Sequence, residues 1–197
     1  MKTMSIPTVL TWGRIALIPV FVVVFYLPFK WANEVTALVF LLAAVTDWLD
    51  GYLARRLDQT SAFGAFLDPV ADKLMVATAL VLLVQTHPSP LVAIPALIIV
   101  GREIAVSSLR EWMAEIGESA QVAVSTMGKV KTTVQMIAIL MMLYRDPILD
   151  FPVMETGVFL LYLAAVLTLW SMILYLRAAW PSLTRDEARD CRDKREA

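Results

Sequence analysis

The sequence predicts an all-α integral membrane chain of six transmembrane helices, and three observations carry that expectation. Apolar residues fill 59% of the 197 positions and charged residues only 18%, against roughly 45–50% and ~25% in soluble domains. A chain of this length has no single soluble core able to hide so much apolar surface. The apolar residues fall into six runs, at 7–29, 35–53, 66–86, 91–113, 127–144 and 156–177, each near the ~20 residues that a helix needs to cross a bilayer. The runs are continuous rather than alternating, which excludes the strands of a membrane barrel.

The first run holds Arg14 and lacks a small-residue cleavage site, so it reads as a span and not as a cleaved signal peptide. The separators are turn chemistry. Residues 29–33 carry Lys30 and Trp31, residues 86–90 carry His87, Pro88 and Pro90, and residues 146–152 carry Asp146, Pro147, Asp150 and Pro152. No low-complexity segment or internal repeat interrupts them. Residues 1–182 form the expected six-helix membrane catalytic domain. Residues 183–197 form a polar tail in which five basic and five acidic side chains follow Leu183.

Lysine and arginine fix the orientation. Of the seventeen, only Lys30 and Arg145 belong to one side. Lys2, Arg14, Arg55, Arg56, Lys73, Arg102, Arg110, Lys129, Lys131 and the basic residues from Arg177 onward belong to the other. The positive-inside rule then places both termini, residues 54–66 and residues 102–131 in the cytoplasm.

Composition also excludes functions. A net charge of −1 argues against nucleic-acid binding. The single cysteine, Cys191, permits no intrachain disulfide and no cysteine zinc site. The single histidine, His87, sits in a Pro-rich turn and reads as solvated. The ten methionines and six tryptophans read as lipid-facing or core residues, with Trp31, Trp112 and Trp180 as interface markers.

Acids are nearly absent from the apolar runs except where Asp47 and Asp50 close the second and Asp68 and Asp72 open the third. An acid near a helix centre costs about 2.5–3.5 kcal/mol on insertion scales, and four together repel one another. A hard divalent cation is the simplest compensation. At about 100° per residue, Asp47, Asp50, Gly51 and Ala54 share one helical face. Gly64, Asp68 and Asp72 form a second stripe if the helix is already formed at Gly64. A short connection makes the two helices expected antiparallel neighbours, with the four carboxylates converging between them. All-oxygen ligands suit Mg²⁺ or Mn²⁺, and four carboxylates can hold two ions sharing ligands, as in phosphoryl transfer. Small Gly51, Ala54 and Gly64 leave room for a flat ligand or for close helix packing. Pro69 leaves two possibilities open: Asp68 caps a helix that starts there, or Pro69 lies inside a helix begun earlier. The plainer alternative for the acids is an ion-paired packing network with Arg55, Arg56 and Lys73.

These residues spell D-x2-D-G-x2-A-R-x8-G-x3-D-x3-D through Asp47, Asp50, Gly51, Ala54, Arg55, Gly64, Asp68 and Asp72. The chain thereby resembles the CDP-alcohol phosphotransferase family, whose six-helix membrane fold agrees with the six runs. Further stretches resemble the bacterial branch that makes phosphatidylglycerophosphate: Ile6-Pro7-Thr8 with Thr11 and Arg14, residues 46–77, Gly101-Arg102-Glu103, residues 110–115, and residues 122–125 with 128–132. One departure is Glu118-Ser119, where close relatives are expected to carry a basic residue.

The resemblance implies a reaction of CDP-diacylglycerol with sn-glycerol 3-phosphate, giving phosphatidylglycerophosphate and CMP. It also implies the roles. Asp47, Asp50, Asp68 and Asp72 would bind two Mg²⁺ or Mn²⁺ ions, and Asp72 would take the proton of the attacking glycerol hydroxyl. Asp47, Asp50, Gly51, Ala54, Arg55, Gly64 and Asp68 would bind CDP-diacylglycerol, with room for cytidine at the small residues and Arg55 on the CDP portion. The inner membrane of a bacterium and a homodimer follow from the same likeness.

The phosphate of the acceptor needs a second cationic site. Candidates are Arg102, Arg110, Lys129, Lys131 and Arg14, arginine gripping bidentately and lysine as a point charge. Their plainer reading is positive-inside topology with snorkelling side chains. Glu103, Glu111 and Glu115 read as partners of nearby arginines. Rival functions keep the chemistry with another acceptor (inositol phosphate, serine or a second phosphatidylglycerol), or change it to an aspartate-rich prenyltransferase or a cation transporter.

Overall fold

The computed structural model describes residues 6–57, 62–115 and 126–196. Within them, the side chains at 6–10, 48, 50–57, 62–66, 68, 115, 126–129, 178–179 and 181–196 lie outside the description. Six helices follow one another: α1 (Ile6–Tyr26), α2 (Ala32–Leu57), α3 (Ala62–Thr86), α4 (Pro90–Glu115), α5 (Thr126–Tyr144) and α6 (Val153–Glu196). Each expected run has its helix. The backbone of α6 stays helical through the polar tail to Glu196.

Not every helix meets the same test of length and apolarity among the described residues. Pro69–Thr86, Pro90–Ala114 and Val153–Arg177 are long and apolar enough to cross a membrane. Thr11–Tyr26 and Val130–Tyr144 are shorter apolar helices. α2 is in neither group, its side chains at 48 and 50–57 lying outside the description. The outer faces match a lipid solvent. Leu97, Ile104, Phe159 and Val166 are exposed on α4 and α6, an arrangement costly in water and favourable against acyl chains.

Consecutive helices alternate in direction. At one end, the Tyr26 hydroxyl donates to Gln85 Oε1 and Arg145 donates to Thr86 Oγ1 at 3.3 Å. The Arg145 guanidinium also lies 5.3 Å from the centre of the Phe25 ring, within cation–π range. The C-terminal ends of α1, α3 and α5 therefore meet there. Residues 145–151 turn the chain into α6 with left-handed backbone at Arg145, Leu149 and Asp150.

α5 and α6 form the most extensive helix pair, and α6 also packs on α4. The core joins Phe21, Phe40, Leu80, Leu83, Ile99, Ile139, Met142 and Leu161, with the Phe21 and Phe40 rings 6.1 Å apart. The neighbour relation expected of α2 and α3 is only partly realised among the described residues. α1 packs along both, while α2 and α3 touch each other sparsely.

Candidate active site

α3 is helical from Ala62, with Pro69 inside it. That settles the alternative left open at Pro69, because the helix is already formed at Gly64. The backbone positions of Gly64, Asp68 and Asp72 thus make one stripe of α3 at four-residue spacing, and Asp47, Asp50, Gly51 and Ala54 lie together in α2. Of the four aspartates, Asp47 and Asp72 have described side chains. Those of Asp50, Gly51, Ala54, Arg55, Gly64, Asp68 and Lys129 lie outside the described residues.

Asp47 is held from α1. Arg14, only 1% exposed, places Nη1 2.7 Å from Asp47 Oδ1, whose side chain is 40% exposed. A guanidinium so deeply buried needs an anion, and Asp47 supplies one while keeping part of its carboxylate open. Arg14 on α1 is thus placed with the first aspartate of the signature on α2, and it is not among the residues lining the cleft described next.

That cleft, of about 400 Å³, opens between α3, α4 and α5 and is lined by Asp72, Lys73, Glu103, Ser107, Lys131 and Gln135 among others. Its polar wall is built at four-residue spacing: Glu103 with Ser107 on α4, Lys131 with Gln135 on α5. Lys131 is buried and its Nζ lies 2.9 Å from Glu103 Oε1. Arg102 Nη1 reaches the same oxygen at 2.8 Å, and its Nη2 donates to Ser171 Oγ on α6 at 3.0 Å. Two cations share one carboxylate, so the trio keeps one net positive charge beside the cleft. Lys73 donates to Ser107 Oγ, which itself donates to the Glu103 carbonyl at 2.7 Å. Lys73 thus ties α3 to α4.

Of the acceptor-site candidates, Lys131 lines the cleft, Arg102 stands behind it through Glu103, and Arg110 is exposed. Glu103 pairs with an arginine as expected and also with Lys131, a partner that spacing along the chain does not announce, and neither does it single out Ser107 or Gln135. The i, i+4 relation of Lys131 to Gln135 was the available signal.

Carboxylates alone fit a hard divalent cation and suit neither zinc nor copper. Among the described side chains no group of three or more metal-ligating residues is assembled, those of Asp50 and Asp68 lying outside the description.

The pattern of the family described as CDP-alcohol phosphatidyltransferase matches residues 4–170. The CDP-diacylglycerol–glycerol-3-phosphate 3-phosphatidyltransferase of Pectobacterium atrosepticum is 58% identical over 175 residues, 89% of this chain and 94% of the relative. Its namesake in Salmonella typhimurium is 57% identical with the same coverage. That in Yersinia pestis is 56% identical over 180 residues, 91% and 97% of the two chains.

Proposed function

This chain belongs to the CDP-alcohol phosphatidyltransferase family, and on that premise we propose how its residues perform the transfer. It is a membrane phosphotransferase of phospholipid biosynthesis that passes the phosphatidyl group of CDP-diacylglycerol to sn-glycerol 3-phosphate. The observation that carries this is the 56–58% identity, over nearly the full length of both chains, to relatives named for that reaction.

The terminal hydroxyl of glycerol 3-phosphate attacks the β-phosphorus, a new P–O bond forms, and the bond to CMP breaks. Asp72, at the cleft wall, takes the hydroxyl proton, a role that needs hydrogen-bond reach of that oxygen. Asp47, Asp50, Asp68 and Asp72 would hold divalent cations, Mg²⁺ or Mn²⁺, two in number. When bound, they neutralise the diphosphate and the departing CMP phosphate. Arg14 orients Asp47 for that task. Gly51, Ala54 and Gly64 leave space for cytidine, and Arg55 contacts the CDP portion. Lys131 receives the acceptor phosphate as a point charge, with Arg102 sustaining the local positive charge. Arg110 and Lys129 extend the basic approach.

The signature lies on the lysine- and arginine-rich side, so active site and termini face the cytoplasm of a bacterial inner membrane. There the anionic diphosphate meets water while the acyl chains stay in lipid. Pairing into a homodimer is carried over from the family resemblance alone.

The test is CMP release from CDP-diacylglycerol with each acceptor in turn. Glycerol 3-phosphate is expected to support turnover, and inositol phosphate, serine and phosphatidylglycerol are not. Turnover with inositol phosphate and none with glycerol 3-phosphate would reassign the enzyme.

A further inference from the structure

We propose that Gln135 reads the middle hydroxyl of the acceptor, so that the cleft selects a phosphorylated polyol over a phosphorylated alcohol of the same length. The proposal rests on the function above and names a specificity-determining contact within it.

Gln135 is only 4% exposed, and its Oε1 is buried with no hydrogen-bond partner among the described residues. A buried amide oxygen in a folded protein normally has a partner, and leaving it without one is a standing cost to the fold. The side chain lines the same cleft as Asp72 and Lys131, which makes a ligand the natural source of the missing donor.

Position favours the same assignment. Gln135 follows Lys131 by four residues, on the same face of α5 and about 6 Å further along the axis. α3 and α5 run in the same direction. The far ends of the two helices are tied where Arg145 donates to Thr86 Oγ1. Asp72 lies fourteen residues before Thr86 and Lys131 fourteen before Arg145, so these two stand at similar depth, with Gln135 one turn further from the basic end. The acceptor fits this arrangement: its phosphate at Lys131, its terminal hydroxyl at Asp72, and its middle hydroxyl turned to Gln135. A hydroxyl both donates and accepts, and the amide offers the complement of each. Its proton would satisfy the orphaned Oε1.

A site built to bond a hydroxyl rejects the analogue that lacks it. The probe is 3-hydroxypropyl phosphate, which keeps the phosphate and the attacking hydroxyl and lacks only the middle one. CMP release by the full-length protein in detergent is measured with each acceptor, for wild type and Gln135→Met. Wild type is expected to favour glycerol 3-phosphate in kcat/KM by about 10- to 100-fold. In Gln135→Met that ratio should collapse to within about threefold, by loss on glycerol 3-phosphate with the hydroxypropyl rate retained, and that rate also reports a folded enzyme. Equal loss on both acceptors would overturn the proposal, as would a wild type indifferent to the middle hydroxyl. The latter result would leave Oε1 to a structural water and stands even if the variant does not fold. A wild type releasing CMP with neither acceptor would bring down the assigned function, and this proposal with it.

Discussion

Arg14 and Asp47 join α1 to α2 through a 2.7 Å contact, with the guanidinium almost wholly enclosed. The arginine fixes a carboxylate of the signature, and residues that orient ligands in this way typically matter 10- to 100-fold. Arg14→Met is therefore expected to lower Mg²⁺ affinity or turnover by about that factor, read from the cation dependence of CMP release. Unchanged cation dependence would reduce Arg14 to a packing role. At the opposite end, burial first and the charge of Arg145 second hold the His87 imidazole below its ordinary value of 6.5. The unfolded chain then binds a proton that the folded chain declines. The contribution of His87 to stability is complete above about 6.5 and is lost as pH falls from there through the folded value. With a single histidine, one NMR titration reads it: a midpoint below 6.5, rising in Arg145→Gln. At this scale the aspartates were legible because their spacing is regular and acids in apolar runs are rare. Gln135 was not, since an amide one turn from a lysine has no signature until its burial and missing partner are seen. The Lys131–Glu103 contact joins positions 28 apart, a relation that only tertiary packing creates.

α3 and α6 show what a helix carries beyond its apolarity. α3 stays helical through Pro69, which the sequence leaves open, and this sets Gly64, Asp68 and Asp72 on one stripe. α6 approaches α5 closely at Gly157. A Cβ there would stand 2.7 Å from Met142 Cγ, 3.2 Å from the Met142 nitrogen and 3.3 Å from the Ala138 oxygen. Met142 is fully buried and the two backbone atoms cannot withdraw without moving α5. Gly157→Val is expected to destabilise the fold by about 1–3 kcal/mol, seen as a lower thermal midpoint in detergent. A midpoint equal to wild type would mean that the helices separate freely there. The six runs gave the helices within a few residues at most ends, because apolar length and turn residues are local properties. Which helices touch was less legible. Among the described residues α1 packs along both α2 and α3, a relation that no local run of the sequence announces.

Across the whole molecule, the signature acids and most basic residues gather toward one end, and the Pro-rich turns with Lys30 and Arg145 lie at the other. On the charge asymmetry the chemical end is expected to face the cytoplasm, and the single cysteine in the tail makes this measurable. A membrane-impermeant maleimide is expected to label Cys191 in inside-out vesicles and to leave it unlabelled in intact spheroplasts. The reverse pattern would invert the topology. The central claim is that the signature carboxylates gather divalent cations around a lipid-linked diphosphate while Asp72 removes the acceptor's proton. Its most direct test is CMP release from CDP-diacylglycerol and glycerol 3-phosphate, for wild type and Asp72→Asn, with and without a chelator. Chelation is expected to abolish wild-type turnover, added Mg²⁺ or Mn²⁺ to restore it, and Asp72→Asn to lose about 100- to 10,000-fold while still folded. Turnover that survives both the chelator and the substitution would contradict that claim.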